Sequence, residues 1–405
     1  MTRTTNNCDI KRWLLILGLP AALVACEASG PVDCCAEIAV VDVLPARAMV
    51  LSLNDSLTFK AIPRDSRGIA QTANTVGWSS SDLSVATITP DGKAIAIGQG
   101  ETIIAASADG ISGSASLEVF VPSEIESYIP GQSYVGREGY AEYIPGELPI
   151  VISAPHGGDL KPGEINNRTY GVTGADRNTR DLTVRVRDAL IDATGFAPHV
   201  IISHLHRSKL DPNREIVEAA QGDLYAEQAW TEFQDFIRIA RQTVATDYGS
   251  GMYFDMHGHG HPIHRIELGY LLGRSDLNLA DTFLDNTATQ DKSSVRALGT
   301  ESEISFSQIL RGQTSFGGYL EEAGFRSVPS PSDPSPNEDA YFTGGYNTRQ
   351  WGSMTGGEVV SGIQLEHQFT GIRDTQANRQ AYAVVLADVI ERYMETHFGF
   401  FKPNE

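Results

Sequence analysis

Met252-Tyr253-Phe254-Asp255-Met256-His257-Gly258-His259-Gly260-His261 decides how the larger part of this chain is read. Its first half is an apolar, strand-like run, and it delivers an aspartate and three histidines into a glycine-rich loop. A second junction of the same kind lies far upstream, where Ile150-Val151-Ile152 leads into Pro155-His156-Gly157-Gly158-Asp159. In open α/β sheets, ligands and metals sit in the loops after strand C-termini. Two such loops, each led by a histidine, are the raw material of a His/carboxylate metal site.

The surrounding text alternates strands and helices. Pro149-Ile150-Val151-Ile152 and His199-Val200-Ile201-Ile202 read as buried strands, and Ser361 to Phe369 as a late one. Asn178 to Ala193 carries Leu182, Val186 and Leu190 at helical spacing. Ala226 to Val244 places Trp230, Phe233, Ile237 and Ala240 on one face, and Gln376 to His397 reads as a closing helix. Residues 327–337, with four prolines, read as a surface loop or flap. The pattern predicts an α/β domain over 148–405, a mixed, mainly parallel sheet with helices on both faces.

Upstream, residues 39–121 are short β-like runs broken by the turn sequences Asp65-Ser66-Arg67-Gly68 and Asp91-Gly92. About seven short strands in such a segment predict an all-β sandwich. Residues 122–147 read as a linker whose tyrosines, Tyr128, Tyr134, Tyr140 and Tyr143, pack on the next domain.

The first 25 residues read as an export signal. Arg3, Lys11 and Arg12 precede an apolar run from Trp13 to Val24, too short to span a bilayer. Leu23-Val24-Ala25-Cys26 resembles a bacterial lipobox, which implies lipidation of Cys26 and an exported, membrane-anchored protein, periplasmic or cell-surface. Residues 26–38 form a tether holding Cys34 and Cys35, to which no function is assigned. No cysteine falls in the later segments, so their cores stand without disulfides. A net charge of −20 repels nucleic acid, and an anionic substrate then needs a local positive patch.

The chemistry follows from the second domain. A catalytic zinc takes three protein ligands and keeps one open position. His156 and His257 are the leading candidates, with Asp159 as the nearest carboxylate and Glu164 and Asp176 as alternatives. Asp255, two residues before His257, is a candidate supporting acid. Leu205-His206-Arg207-Ser208-Lys209-Leu210-Asp211-Pro212-Asn213-Arg214-Glu215 supplies the positive patch, with Arg207 and Arg214 placed to clamp a carboxylate. In Gln364-Leu365-Glu366-His367, Glu366 is a candidate general base. Thr343-Gly344-Gly345-Tyr346-Asn347-Thr348 is a turn through which backbone approaches a ligand. Tyr346, Asn213 and His259 are expected to contact substrate.

Two resemblances add to this reading. Gly77-Trp78-Ser79-Ser80-Ser81-Asp82, Ser84-Val85-Ala86-Thr87-Ile88, Asp91-Gly92 and Gly98-Gln99-Gly100 resemble, in order, the bacterial Ig-like domain, group two. That implies a spacer or adhesive module with Trp78 in its core. Ala154-Pro155-His156-Gly157-Gly158, Arg207 with Asp211-Pro212-Asn213-Arg214, Asp255-Met256-His257-Gly258-His259-Gly260, Glu267-Leu268-Gly269-Tyr270, Gly344-Gly345-Tyr346 and Gln364-Leu365-Glu366 resemble the N-formylglutamate amidohydrolase family. That resemblance spans about residues 148–397 and implies a fold like the zinc carboxypeptidases and aspartoacylase. It implies zinc at His156, an acid such as Asp159, and His257, with Glu366 as base. It implies Arg207 or Asn213-Arg214 on the substrate carboxylate. The expected activity is zinc-dependent hydrolysis of an amide in a carboxylate-bearing substrate. An extracytoplasmic metallopeptidase and a non-catalytic binding lipoprotein are the alternatives.

Overall fold

The stretch that opened the sequence reading is a central strand, Gly251–Gly258, buried along nearly its whole length. The computed structural model describes residues 37–50, 53–73, 75–119, 128–354 and 357–400. The expected signal 1–25 with its lipobox, Cys26, Cys34, Cys35 and most of the tether lie outside the described residues. The chain divides into two units, Met1–Val121 and Pro122–Glu405.

In the first unit the described residues form strands and turns. Arg47–Val50, Ile111–Val119, Gly100–Ala108 and Gly77–Ser80 make one sheet; Ser56–Thr58, Lys93–Ala96 and Ala86–Ile88 make a second. Val40–Leu44 pairs with Lys60–Arg64. Alternation sends Ile104, Ala106, Leu117 and Val119 inward to one core with Val41, Val43 and Phe59. Trp78 packs on that core, as its sequence context predicts. Gly92 has φ +84°, and a Cβ there would meet Phe59 O at 2.6 Å, so the Asp91-Gly92 turn accepts no side chain.

The second unit is built on an eight-stranded mixed sheet. Its order is Tyr134–Val135, Ala141–Ile144, His199–Ser203, Ile150–Ala154, Gly251–Gly258, Val360–His367, Ile266–Gly269 and Ser327–Val328. The four strands from His199–Ser203 to Val360–His367 run parallel, and antiparallel pairs flank them. Helices cover both faces. Leu182, Val186 and Leu190 of Thr179–Thr194 pack with Leu386 and Ile390 of Gln376–Phe398 against Ile152, Phe254 and Leu365. Phe233, Ile237, Ala240 and Val244 of Leu224–Tyr248 cover Val151, Ile201 and Tyr253 on the other face. Each such aliphatic or aromatic side chain contributes about 1.5–3 kcal/mol on full burial.

Two expectations are corrected. From Tyr128 onward, the segment expected as a linker belongs to this unit: it supplies two strands, and Tyr143 is buried against Phe236 with ring centroids 5.6 Å apart. The proline-rich segment 327–337 is anchored rather than a free flap, because Ser327–Val328 is a buried edge strand and Ser330 and Ser335 are also buried. Among the described residues no helix is long and apolar enough to cross a membrane.

Candidate metal centre

Strand register assembles the site. Parallel pairing sets Ser153 beside Asp255, Asp255 beside Gln364 and His257 beside Glu366. The antiparallel neighbour sets Glu267 beside Glu366. With a side-chain period of two, these polar residues share one face while Phe254, Met256 and Leu365 take the other.

His156 reaches the same place from the neighbouring strand end. Gly157 and Gly158 allow its loop to press on what surrounds it: a Cβ would stand 2.3 Å from Arg180 N at the first and 2.4 Å from His204 C at the second. The chain then returns, and the Asp176 N–H donates to His156 O at 3.1 Å.

Three ligand atoms converge. His156 Nδ1 and His257 Nδ1 are 3.1 Å apart, and Asp176 Oδ2 lies 3.2 Å from the first and 3.3 Å from the second. Atoms bonded tetrahedrally to one zinc at about 2.0–2.2 Å stand roughly 3.3–3.6 Å apart, so the triangle fits such an ion with little movement. The far nitrogens are pinned. His156 Nε2 is 2.6 Å from Asp211 Oδ1, and His257 Nε2 is 2.8 Å from Asp255 Oδ2. These carboxylates accept the Nε2 protons, which turns both Nδ1 lone pairs toward Asp176. With both far nitrogens tied to carboxylates, the two Nδ1 atoms and the Asp176 carboxylate form a donor set that fits a cation.

The charges respond to this crowding. Burial alone would lower the His257 pKa, but Asp255 and Asp176 push it up to about 10. Burial alone would raise Asp176, and His156 and His257 instead hold it well below the carboxylate range. Asp211 is likewise depressed against its burial, by His156 and Arg207. For Asp255 the opposing partners are His257 and Ser153, whose Oγ donates at 2.5 Å. Burial drives Glu366 up to about 8; His257 opposes the shift, while Asp176 and Glu267 add to it.

Asp159 does not join the triangle. Its side chain is 72% exposed and is held by Arg180 at 3.1 Å, so the sequence expectation is corrected to Asp176. Glu164 is also elsewhere, bonded to Arg137 at 2.6 Å and to Tyr140. Arg207 is buried at the site, with Nε donating to Asp211 Oδ2 at 2.8 Å and its NH1 nitrogen 3.5 Å from Asp176 Oδ1. Asn213 is buried: its backbone N–H donates to Asp211 Oδ1 at 3.2 Å and its own Oδ1 accepts from Asn347 N, which ties its loop into the site. Arg214 is partly exposed and bonded to Glu218 at 3.2 Å. Tyr346 is partly buried against Trp230. His259 turns away from the triangle and donates Nε2–H to Arg265 O at 2.7 Å.

Sequence reasoning passed over Arg373. Its guanidinium is buried and donates to His367 O, Arg177 O and His259 O at 3.1, 2.6 and 3.2 Å. No local motif marks it; the nearest signal is Gly258, where a Cβ would stand 2.1 Å from Arg373 Cζ.

No family model matches this chain, and no curated protein matches it. Among solved structures it is similar to N-formylglutamate amidohydrolase from Ralstonia eutropha JMP134, with 12% identity and a TM-score of 0.40 over 62% of this chain and 95% of that one. Domains 4 and 5 of the S-layer protein SbsC give 16% identity and a TM-score of 0.19 over 21% of this chain and 53% of that one. An intimin mutant of EHEC O157:H7 gives 25% identity and a TM-score of 0.15 over 20% and 43%. At these scores the likeness transfers neither a residue's role nor an activity.

Proposed function

We propose that the unit Pro122–Glu405 is a zinc-dependent amidohydrolase acting on a carboxylate-bearing substrate, N-formylglutamate or a related N-acyl amino acid. The observation that carries this is the triangle of His156 Nδ1, His257 Nδ1 and Asp176 Oδ2, with both far nitrogens fixed by carboxylates. The sequence resemblance described above supports the choice of an amide bond.

Zinc held by these three residues would supply a water of lowered pKa and polarise the substrate carbonyl. Glu366 is placed to take a proton on its carboxylate and return it to the leaving nitrogen. Its pKa of about 8 suits both halves of that task near neutral pH. Asp211 and Asp255 hold the imidazoles in the ligating tautomer. Arg207, with one edge tied to Asp211 and Asp176, presents the remainder of its guanidinium to the scissile carbonyl. Arg214, partly exposed and bonded to Glu218, anchors the substrate carboxylate, and Tyr346 contacts the substrate.

In the same proposal Cys26 carries lipid, residues 39–121 serve as an Ig-like spacer, and the enzyme works outside the cytoplasm of a bacterium. Its partners are the substrate and, through the lipid alone, a membrane; nucleic acid is not among them.

The test is hydrolysis of N-formyl amino acids and glutamyl peptides by purified protein, before and after chelation and after zinc is returned. Activity lost and restored in that order is expected. Full activity in metal-free protein overturns the zinc mechanism. Preference for glutamyl peptides moves the assignment to a metallopeptidase, and zinc binding without turnover moves it to a binding lipoprotein.

A further inference from the structure

The three carbonyls that Arg373 gathers are not scattered at random. Each belongs to a residue next to a group the metal centre uses. Arg177 follows the ligand Asp176, His259 lies two residues past the ligand His257, and His367 follows Glu366. One buried guanidinium therefore ties together the three segments that deliver a carboxylate ligand, an imidazole ligand and the candidate base. Its planar fork of N–H groups is what allows three directions to be served at once.

Asp176 has the greatest need of such a tether. It stands on residues 155–178, which form no helix and no strand beyond an isolated bridge at Leu160. A ligand on irregular backbone is held less exactly than one on a strand. Arg373 grips this loop a second time: Asn178 Nδ2 donates to Arg373 O at 2.7 Å, and Arg379 Nη1 donates to the same carbonyl at 2.9 Å. Gly258 closes the unit. Its N–H donates to Asp176 Oδ2 at 3.1 Å, and its lack of a Cβ lets the guanidinium pack against it. Charge points the same way. Burial lowers the Arg373 pKa, and Asp176 and Glu366 oppose that shift.

We propose that Arg373 is a positioning residue of the metal centre. It acts through backbone carbonyls, not through a ligand atom, and sets where Asp176, His257 and Glu366 stand relative to one another. The inference rests on the metal centre of His156, Asp176 and His257, and not on which bond that centre cleaves.

Metal binding by the full chain tests this. Metal-free protein is titrated with Zn²⁺ against a chromogenic chelator, and separately with Co²⁺ to saturation to record its absorption bands. Arg373→Lys keeps the charge but loses the planar fork, and Arg373→Gln loses both. Each is expected to weaken zinc binding about 10–100-fold and to shift the cobalt bands at full occupancy. Arg241→Lys is the control for destabilisation alone. Arg241 is also buried, and it bonds Glu358 and Val360 O at the other end of the strand Val360–His367. It should lower the melting temperature and leave zinc affinity and cobalt bands as in wild type. A folded Arg373 variant with wild-type affinity and bands overturns the proposal. So does an Arg241→Lys that weakens zinc equally, because general loosening then accounts for both. Should neither Arg373 variant melt cooperatively, Gly258→Ala, which pushes the guanidinium aside, is judged by the same two readouts. A wild type that binds no zinc removes the centre and this proposal with it, whereas the other adverse outcomes leave the centre standing.

Discussion

The two units are stabilised in opposite styles. In Met1–Val121, Asp65 and Thr102 are the only polar side chains buried among the described residues, and the core is small aliphatics with one phenylalanine. In Pro122–Glu405, aspartates, glutamates, histidines and arginines are buried in a row along one end of the sheet. Buried charge is expensive unless it is paired, and removing one partner of a pair destabilises strongly. A fold held mainly by apolar burial, as in the first unit, has little need of such groups. Their concentration at strand ends in the second unit marks the candidate site.

The sharpest way to break that contrast is Glu366→Gln. Turnover should fall about 10²–10⁴-fold with metal still bound, because a proton acceptor is lost and no ligand is. Kinetics alongside metal analysis check this. Near wild-type turnover in metal-loaded protein would exclude Glu366 as the base.

Acid should separate the units next. All ten histidines lie in the second unit. Burial pushes His199 down to about 4. Its neutral form is the folded one, so the stability it contributes is complete above pH 6.5. As pH falls from about 6.5 to 4 the unfolded chain takes up the proton first, and about 3 kcal/mol is lost. In the first unit, Asp65, Asp82 and Asp91 have pKa values lowered by hydrogen bonds, from the side chains of Arg67, Ser84 and Thr89 first. Their contribution persists above the ordinary value of 3.8 and fades only below it. Residue-resolved hydrogen exchange between pH 7 and 4.5 should therefore show the second unit weakening first. Equal loss in both would remove the histidines as the cause.

Smaller effects refine the site. Asp211→Asn and Asp255→Asn should each weaken zinc affinity about 10–100-fold by releasing an imidazole. Asp159→Asn should leave affinity unchanged, and competition with a chromogenic chelator measures all three. Least of all, deleting residues 1–121 should change the specific activity of the remaining chain by no more than a few-fold. A loss of about a hundredfold in a folded truncation, roughly 2.7 kcal/mol, would show that the first unit shapes the site.

Much of this was legible in the chain, for reasons that differ by residue. The strand ends at His156 and His257 announce themselves because an apolar run stops at a histidine beside glycine. Glu366 is legible because a charge interrupts an apolar strand. The third member of the triangle was not, since Asp159, Glu164 and Asp176 are equally acidic. Only the return of the loop to His156 O selects among them. Asp211 bonds Arg207 on its own loop, but its other oxygen serves a histidine 55 positions away, which no local pattern announces. The strands Tyr134–Val135 and Ala141–Ile144 were missed because they are short and carry tyrosines that also suit a linker.

Gly258 and Arg373 carry a lesson about inheritance. The guanidinium occupies the space a side chain at 258 would need, while it gathers carbonyls from three separate segments. Neither position is free to drift alone: a methyl group at 258 displaces the arginine, and a shorter residue at 373 leaves those carbonyls and a void behind. Among descendants of a common ancestor the two sites should therefore change together or not at all, although 115 residues separate them in the chain.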